Sequence, residues 1–590
     1  MDSLLIFNKL NDLVFRKYND DFEEYIRKYA ISQDLISEGG PETDISNNVF
    51  IQIFSPVVTS HRIMHCQFGN SYTSVQFQDD LKITFAEFMG YLFLSISNEN
   101  ITGFVQKCVV FARYICGPDI SQLQSDESKS DLLCNLIDQW LLLRSNSQTV
   151  YVEAIEQLVV NSDITATCLE TLKNSANDLV DHSEYSKVHA ILMVEDKILS
   201  LYSSVNAHQL SPTDLLFIVI LTHCQINSNS LNSQQVLLTG NEEEPKCLPH
   251  VIHTVPLFER VYLIYVIEIG HAAVSATLYE NFCHLHALQN IQVQRDKEKI
   301  QFGFENVELA VKRLNDSIKK VKDGSIESVH KQITKQWEII KTKYKEYLKS
   351  GLNEAILRAE TLLPGMLDEL YDLFRLISKD STILDSSFRK VSQVLPRVKS
   401  DLEVFTDFFK VKGTKNFTLG SRNSLTINKY MEDFPGLVHF LYVDRNTHRV
   451  TTPTLDLTTD KADFMKKKIW LMISFGQRHL QQGYTSIIWK DTTFTYGYFL
   501  WFENHSGGPI KTPTNLGPMN HNPGILEDDY FLRLKKTYFP KQSPSKIKCY
   551  ELFCVHLGLT TPSGMLEQAR RLAGTVWELK GFPTHAIDFL

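Results

Sequence analysis

No apolar run in this sequence approaches the length of a membrane span. The longest aliphatic and aromatic runs are Leu215–Leu221 and Val261–Ile267, against the roughly 20 residues a helix needs to cross a bilayer. Any membrane contact is therefore expected to be peripheral or through a partner. Cysteine is sparse: ten in 590 residues, with no CxxC pair, which excludes a disulfide scaffold. Most cysteines sit in apolar stretches, as buried free thiols do, and read as belonging to a reducing, cytoplasmic compartment. The opening residues, MDSLLIFNKLNDL, carry an acid at Asp2 and only a short apolar run, so they are not expected to act as a signal peptide. A positive charge excess is also missing. The net charge of −9 disfavours general nucleic-acid binding, so no nucleic-acid partner is expected.

The motifs of covalent and nucleotide chemistry are equally absent. There is no GxxxxGK[ST], no GxGxxG after a strand, no HExxH and no GxSxG. Cys283, His284 and His286 have metal-ligand types, but alternate positions on a helix point to different sides and cannot converge on one ion. Cys549 and Cys554 flank a strand-like stretch and read as buried thiols. His505, Asn520, His521 and Asn522 lie in or beside a Gly/Pro-rich loop and read as loop polarity. Asp528 and Asp529 form a carboxylate pair with no acid/base partner identifiable from spacing. No catalytic residue, metal or cofactor is therefore expected. The chain reads as a binding or assembly protein and not as a covalent enzyme.

What the sequence does hold is ordinary globular composition, with 43% hydrophobic and 22% charged residues, enough for several cores. One pattern occurs three times: a hairpin, an apolar helix, further strands, then closing helices. Copy one opens with Leu4–Phe7 and Leu13–Tyr18. A helix over Pro56–Phe68 follows, with Ser55 as N-cap and Pro56 at the first helical position. Strands are predicted over Tyr72–Gln78, Lys82–Phe88 and Tyr91–Ser97. Copy two opens with Ala190–Val194 and Ile198–Tyr202, and Ser211-Pro-Thr-Asp starts its helix. A polar loop from Gln225 to Lys246 leads to strands His250–Pro256 and Arg260–Glu268 and a helix from Ala272 to Leu288. Copy three opens with Leu437–Val443 and Arg449–Thr452. Its helix is Phe464–Leu480, and its strands are Thr485–Lys490, Thr493–Tyr496 and Tyr498–Glu503. The stretch Lys546–His556 and a helix Gly564–Leu579 close the copy.

The fold class is thus α/β: three longin-like domains, each an antiparallel sheet with flanking helices, plus a helical connecting region. The boundaries are 1–150, 185–290, 291–410 for the connecting helices, and 428–590. The connecting region is lysine-rich over 312–349, where acids interleave. A solvated helix face and contact with anionic lipid headgroups are both open there. Ile333, Trp337, Ile340 and Tyr344 recur at helical spacing and predict one packed face.

The run Lys429-Tyr-Met-Glu-Asp-Phe-Pro-Gly-Leu-Val-His-Phe-Leu-Tyr-Val-Asp-Arg445 resembles the hallmark of the Hermansky–Pudlak syndrome type 1 protein family. Ile469-Trp470, Gly483-Tyr-Thr485, Tyr498-Phe-Leu-Trp-Phe-Glu-Asn504 and Cys549-Tyr-Glu-Leu552 fit the same family in the same order. So do Ser55-Pro-Val-Val58, Ser71-Tyr-Thr73 and Ser211-Pro-Thr-Asp-Leu-Leu216. The family is similar to the Mon-one and Fuzzy proteins. The resemblance implies one subunit of the third biogenesis-of-lysosome-related-organelles complex, obligately paired with the Hermansky–Pudlak syndrome type 4 protein. It implies guanine-nucleotide exchange on Rab GTPases of the melanosomal subfamily. It further implies a cytoplasmic protein recruited peripherally to endosomes, lysosomes or related organelles. An effector or tether that binds GTP-loaded Rab without exchange is the alternative. In complexes the chain resembles, the first longin domains of both subunits form the GTPase platform. That favours Pro56, Val57, Ser60, His61, Met64 and His65 as GTPase or subunit contacts, with core packing as the competing role for the apolar members.

Overall fold

The computed structural model describes residues 2–36, 45–77, 81–98, 101, 103–179, 187–225, 230–240, 246–321, 323–378, 381–417, 421–422, 426–427, 433–455, 460–511, 516–519 and 521–578. Lys429–Glu432 of the hallmark run, together with Gln78, Lys322, Asn520 and Leu579, lie outside the described residues. The chain divides into two compact units. One holds Met1–Ile137, Gln235–His250 and Glu268–Ile383; the other holds Asp138–Gln234, Val251–Ile267 and Leu384–Leu590.

The first copy contains β1 (Asp2–Phe7), β2 (Leu13–Tyr18), α1 (Asp20–Ser32), α2 (Asn47–Phe68), β3 (Ser74–Gln76), β4 (Lys82–Phe88), β5 (Tyr91–Ser97), α3 (Phe104–Cys116), the short α4 (Gln122–Ser125) and α5 (Glu127–Asn146). Its sheet has the order β2-β1-β5-β4-β3. Alternation in β4, where Ile83 and Phe85 are buried, points one face at Phe22, Phe50, Phe54 and Val58 of the two early helices. Helix α1 carries no motif and was not expected. Asn19 caps it by accepting from the Phe22 N–H at 3.1 Å.

A short α6 (Gln148–Tyr151), β6 (Ile155–Glu156) and α7 (Ser162–Leu179) lead to the second copy. This holds β7 (Val188–Val194), β8 (Lys197–Ser203), α8 (Pro212–Cys224), β9 (Asn232–Leu238), β10 (Leu248–Phe258), β11 (Val261–Glu268) and α9 (Ala272–Val293). Its sheet order, β8-β7-β11-β10-β9, repeats that of copy one. The Ser211 signal is a full capping box: Ser211 Oγ accepts from the Asp214 N–H at 3.0 Å, and Asp214 accepts from the Ser211 N–H at 3.2 Å. The predicted polar loop after α8 is corrected, because β9 lies inside it. Its Asn, Ser and Gln residues hide the strand signal, while Val236, Leu237 and Leu238 are buried.

Four long helices follow: α10 (Lys297–Ile318), α11 (Gly324–Ser350), α12 (Asn353–Ser378) and α13 (Ser381–Leu402), then α14 (Thr406–Thr414). Ile333, Trp337, Ile340 and Tyr344 of α11 are all buried in one core with α9, α10 and α12. The lysines of α11 face outward or pair locally, as Lys341 does with Glu308 at 2.7 Å.

The third copy comprises two short strands, β12 (Ser421–Arg422) and β13 (Thr426–Ile427), then β14 (Leu437–Asp444), β15 (Arg449–Thr451), α15 (Asp460–Gln481), β16 (Ser486–Lys490), β17 (Phe494–Asn504), β18 (Pro509–Ile510), α16 (Tyr530–Tyr538), β19 (Ile547–Leu557) and α17 (Pro562–Glu578). Two expected strands are one. Gly497 reads as a break but stays in register inside β17, between Ile488 and Cys554. A Cβ there would stand 2.8 Å from the Phe499 ring, so the glycine serves close packing. Gly436 ends the turn into β14 at φ +83°, a left-handed conformation that glycine adopts without strain.

The third sheet runs β16-β17-β19-β14-β15-β6. Its last strand comes from the segment after copy one and pairs in parallel with β15. One residue further on, Gln157 bridges Ile198 of β8. The segment therefore stitches the second and third sheets together, which a purely antiparallel reading missed.

Candidate functional site

Helix α2 is longer than its sequence signal. Pro56 lies inside it, with Asn47–Ser55 already helical, so the predicted start at Ser55 is corrected. A proline in a helix interior costs about 3 kcal/mol, because it removes an N–H and presses on the carbonyl four residues back. Packing beneath the helix offsets this: Phe50, Phe54 and Val58 recur every fourth residue and are buried. Gly69, at φ +63°, ends the helix with its N–H on the His65 carbonyl.

The two sides of α2 differ sharply. His61 points inward and is 4% exposed. It stacks on Phe85 with ring centroids 5.0 Å apart and meets Tyr72 edge-on at 5.4 Å. Burial lowers its pKa, opposed by the nearby Glu87. Tyr72 in turn donates to the Val57 carbonyl at 3.3 Å. His61 is thus a packing residue of copy one, and Val57 is half-buried against the same core.

On the outward side Ile51, Gln52, Ser55, Pro56, Thr59, Ser60, Ile63 and Met64 line a shallow depression of about 680 Å³. Three of the six residues favoured by the sequence, Pro56, Ser60 and Met64, meet here. His65 is half-buried on the last turn. Ile51, Gln52, Ser55, Thr59 and Ile63 were not among the expected contacts. The apolar spacing of Val49, Phe50, Ile53 and Phe54 is the signal that extends the helix back to the first three. Not one lining residue carries a charge, and α2 holds no carboxylate along its whole length. Arg62, its one strong cation, turns away and donates to the Asn8 carbonyl. Ile63 and Phe68 remain 46% and 67% exposed. An uncharged face bearing exposed apolar side chains suits macromolecular contact.

Other clusters are inert by comparison. A second depression, of about 440 Å³ between α10 and α11, is lined by Glu305, Glu308, Lys312, Glu338 and Lys341. Lys341 pairs there with Glu308 at 2.7 Å and with Glu338 at 3.9 Å. Among the described residues no group of His, Cys, Asp and Glu is placed to hold a metal. Cys283 is exposed while His286 is half-buried on another side of the helix. Burial pushes the Cys554 thiol up to about 12 and Cys549 higher still, so neither is a ready nucleophile. Asp529 caps α16, accepting from the Phe531 and Leu532 N–H groups at 3.0 Å. Among the described residues no helix is long and apolar enough to cross a membrane.

Comparison with known families matches all three copies in order. Residues 2–143 match the first longin domain of FUZ, MON1 and HPS1, residues 185–285 the second, and residues 436–580 the third. The chain belongs to the three-longin family of FUZ, MON1 and HPS1. The fold is therefore three longin domains, and the domain set suggests a trafficking role like that of Rab exchange factors. Helix α2 follows α1 and leads from the opening hairpin to β3 of the first longin domain. Its counterparts in the second and third are α8 and α15.

Proposed function

We propose that this chain is one subunit of a two-subunit guanine-nucleotide exchange factor for a Rab GTPase. In this reading the partner is the Hermansky–Pudlak syndrome type 4 protein. The pair serves lysosome-related organelles such as melanosomes, from the cytoplasmic face of endosomal or lysosomal membranes. The observation that carries the reading is the uncharged, uncovered face of α2 on the first longin domain, Ile51 to Met64. Exchange requires no covalent step. The pair binds the nucleotide-free GTPase more tightly than the loaded one, and linkage lowers nucleotide affinity by the same factor. A rigid helix packed on a sheet is suited to that task, because the surface need not reorganise on binding.

Fluorescent-GDP release from melanosomal-subfamily Rabs, with this chain alone and with its partner, tests the reading. Acceleration by the pair alone supports it. Binding to GTP-loaded Rab without acceleration would make the chain an effector or tether instead.

A further inference from the structure

A serine or threonine followed by proline is the acceptor that proline-directed kinases take, and one class of them also reads a cation at the third residue after the hydroxyl. The sequence holds six such pairs, at Ser55, Ser211, Thr452, Thr512, Ser543 and Thr561. The third residue after each is Val58, Asp214, Leu455, Asn515, Lys546 and Gly564 in turn. Only Ser543-Pro-Ser-Lys546 completes the pattern.

The fold picks out the same residue on independent grounds, because a kinase needs its target hydroxyl exposed on extended backbone. Ser55 lies inside helix α2. Ser211 is 7% exposed, and its hydroxyl is engaged by the Asp214 N–H. Thr452 is 1% exposed and donates to the Phe440 carbonyl at 2.9 Å. Thr561 is exposed, but its hydroxyl accepts from the Gly564 N–H at 3.2 Å at the start of α17. Thr512 lies outside the described residues. Ser543 is exposed in the connection between α16 and β19, at φ −63° and ψ 132°. That is the extended form a following proline imposes. Its hydroxyl caps no helix and meets only a neighbour's hydroxyl, that of Ser545, at 2.8 Å on the surface.

The connection is built to be lifted. The Gln542 N–H closes on the Phe539 carbonyl at 3.0 Å, and the Lys546 N–H closes on the Ser543 carbonyl at 2.9 Å. The sheet register begins only at Ile547, opposite Asn504. Drawing Ser543 into a kinase cleft therefore breaks turn hydrogen bonds and no sheet hydrogen bond. Its surroundings are one-signed. From Tyr530 to Tyr550 the sequence has six cations and no acid. Arg533 is paired with Asp528, and Lys535 is buried against Asn446. Lys541 and Lys546 stand exposed on either side of Ser543. A phosphate there carries roughly two negative charges and would offset both lysines.

We propose that Ser543 is a phosphorylation site for a proline-directed serine/threonine kinase that reads Lys546, and that its phosphate turns the α16–β19 connection from cationic to about neutral. In the transfer, Ser543 Oγ attacks the γ-phosphorus of ATP. The new O–P bond forms as the bond from that phosphorus to the β–γ bridging oxygen breaks. ADP leaves, and the hydroxyl proton passes to the carboxylate base of the kinase. The site lies in the third longin domain and does not depend on the reading of α2.

The test incubates the native full-length chain with a purified cyclin-dependent kinase and ATP, and locates the phosphate by mass spectrometry. Ser543 is expected to be the main site. Ser543→Ala should remove that phosphate, and Thr561→Ala should leave it at the parental level. Lys546→Ala should slow incorporation at Ser543 by about tenfold, the loss of one charge-assisted contact with the kinase. Phosphate found chiefly at another Ser-Pro or Thr-Pro pair, or none on the native chain, would overturn the proposal. So would labelling of Ser543 only after heat unfolding, because the native connection would then not present its hydroxyl. An unchanged rate in Lys546→Ala would overturn the reading of Lys546 by the kinase.

Discussion

The Arg445 guanidinium lies 2.5 Å from the Glu551 carboxylate, and each side chain is 1% exposed. Arg445 also donates to the Glu153 and Val152 carbonyls at 3.0 and 2.9 Å, and its cation lies 4.1 Å from the Phe531 ring centre. Tyr498 donates to the other Glu551 oxygen at 2.7 Å. Every charge in this knot is answered, which is the condition under which a buried ion pair is tolerated. Replacing Arg445 with Met strands the Glu551 charge. A loss of roughly 3–5 kcal/mol is expected in chemical denaturation. A parental midpoint would mean that water reaches Glu551 in the variant.

The same knot makes residues 147–157 part of the third longin domain. Gln148 donates to the Pro453 carbonyl at 2.9 Å, Glu153 accepts from the Ile525 and Leu526 N–H groups, and β6 completes the sheet. A fragment beginning at residue 428 should be unstable and should bind apolar dyes. Supplying 147–160 by fusion should restore a cooperative melt. Cooperative melting of the bare fragment would show the segment to be dispensable.

Buried neutral histidines set the acid limit of the fold. Burial pushes His439 and His286 down to about 3 and His253 to about 4. His439 Nε2 lies 2.8 Å from the Gln148 amide oxygen, so that nitrogen carries the proton of the neutral ring. Above the unfolded value near 6.5 both states are neutral and nothing is lost. As pH falls below 6.5 the unfolded chain takes up protons that the folded chain refuses. Stability therefore drops with acid across the window from 6.5 to about 3. At pH 5 each such histidine should cost roughly 2 kcal/mol. Denaturation midpoints at pH 7, 6 and 5 would reveal this, and a flat profile would contradict it.

Gly436→Val should destabilise the third longin domain by roughly 1–3 kcal/mol, because a β-branched residue at φ +83° is strained. Its Cβ would also stand 3.3 Å from Thr560 Oγ1. Gly436→Asn should lose less. Equal melting temperatures for all three proteins would deny the strain.

On α2, stability and binding should separate by side. His61→Ala removes the ring between Phe85 and Tyr72 and should cost about 2–4 kcal/mol. Ser60→Asp, on the exposed side, should leave the melt nearly unchanged and weaken partner binding. Thermal melts paired with pull-down against the type 4 subunit distinguish the two. A destabilised Ser60→Asp would place that residue in the core.

The sequence alone determined the threefold repeat, most strand positions and the helix start at Ser211. These depend on local chemistry: alternation, capping side chains and turn residues act within a few positions of one another. It named Pro56, Ser60 and Met64, which meet on the open face, together with His61, which is buried. Only tertiary structure decided the rest. His61 shares a helix and a polar side chain with Ser60, and which of them faces outward follows from where α2 lies on its sheet. The α2 extension past Pro56 depends on Phe50 and Phe54 finding a core. Strand β6 has almost no signal of its own, because two residues, Ile155 and Glu156, become a strand only when β15 offers an edge. Pairing partners distant in sequence are chosen by packing, and no local pattern records that choice.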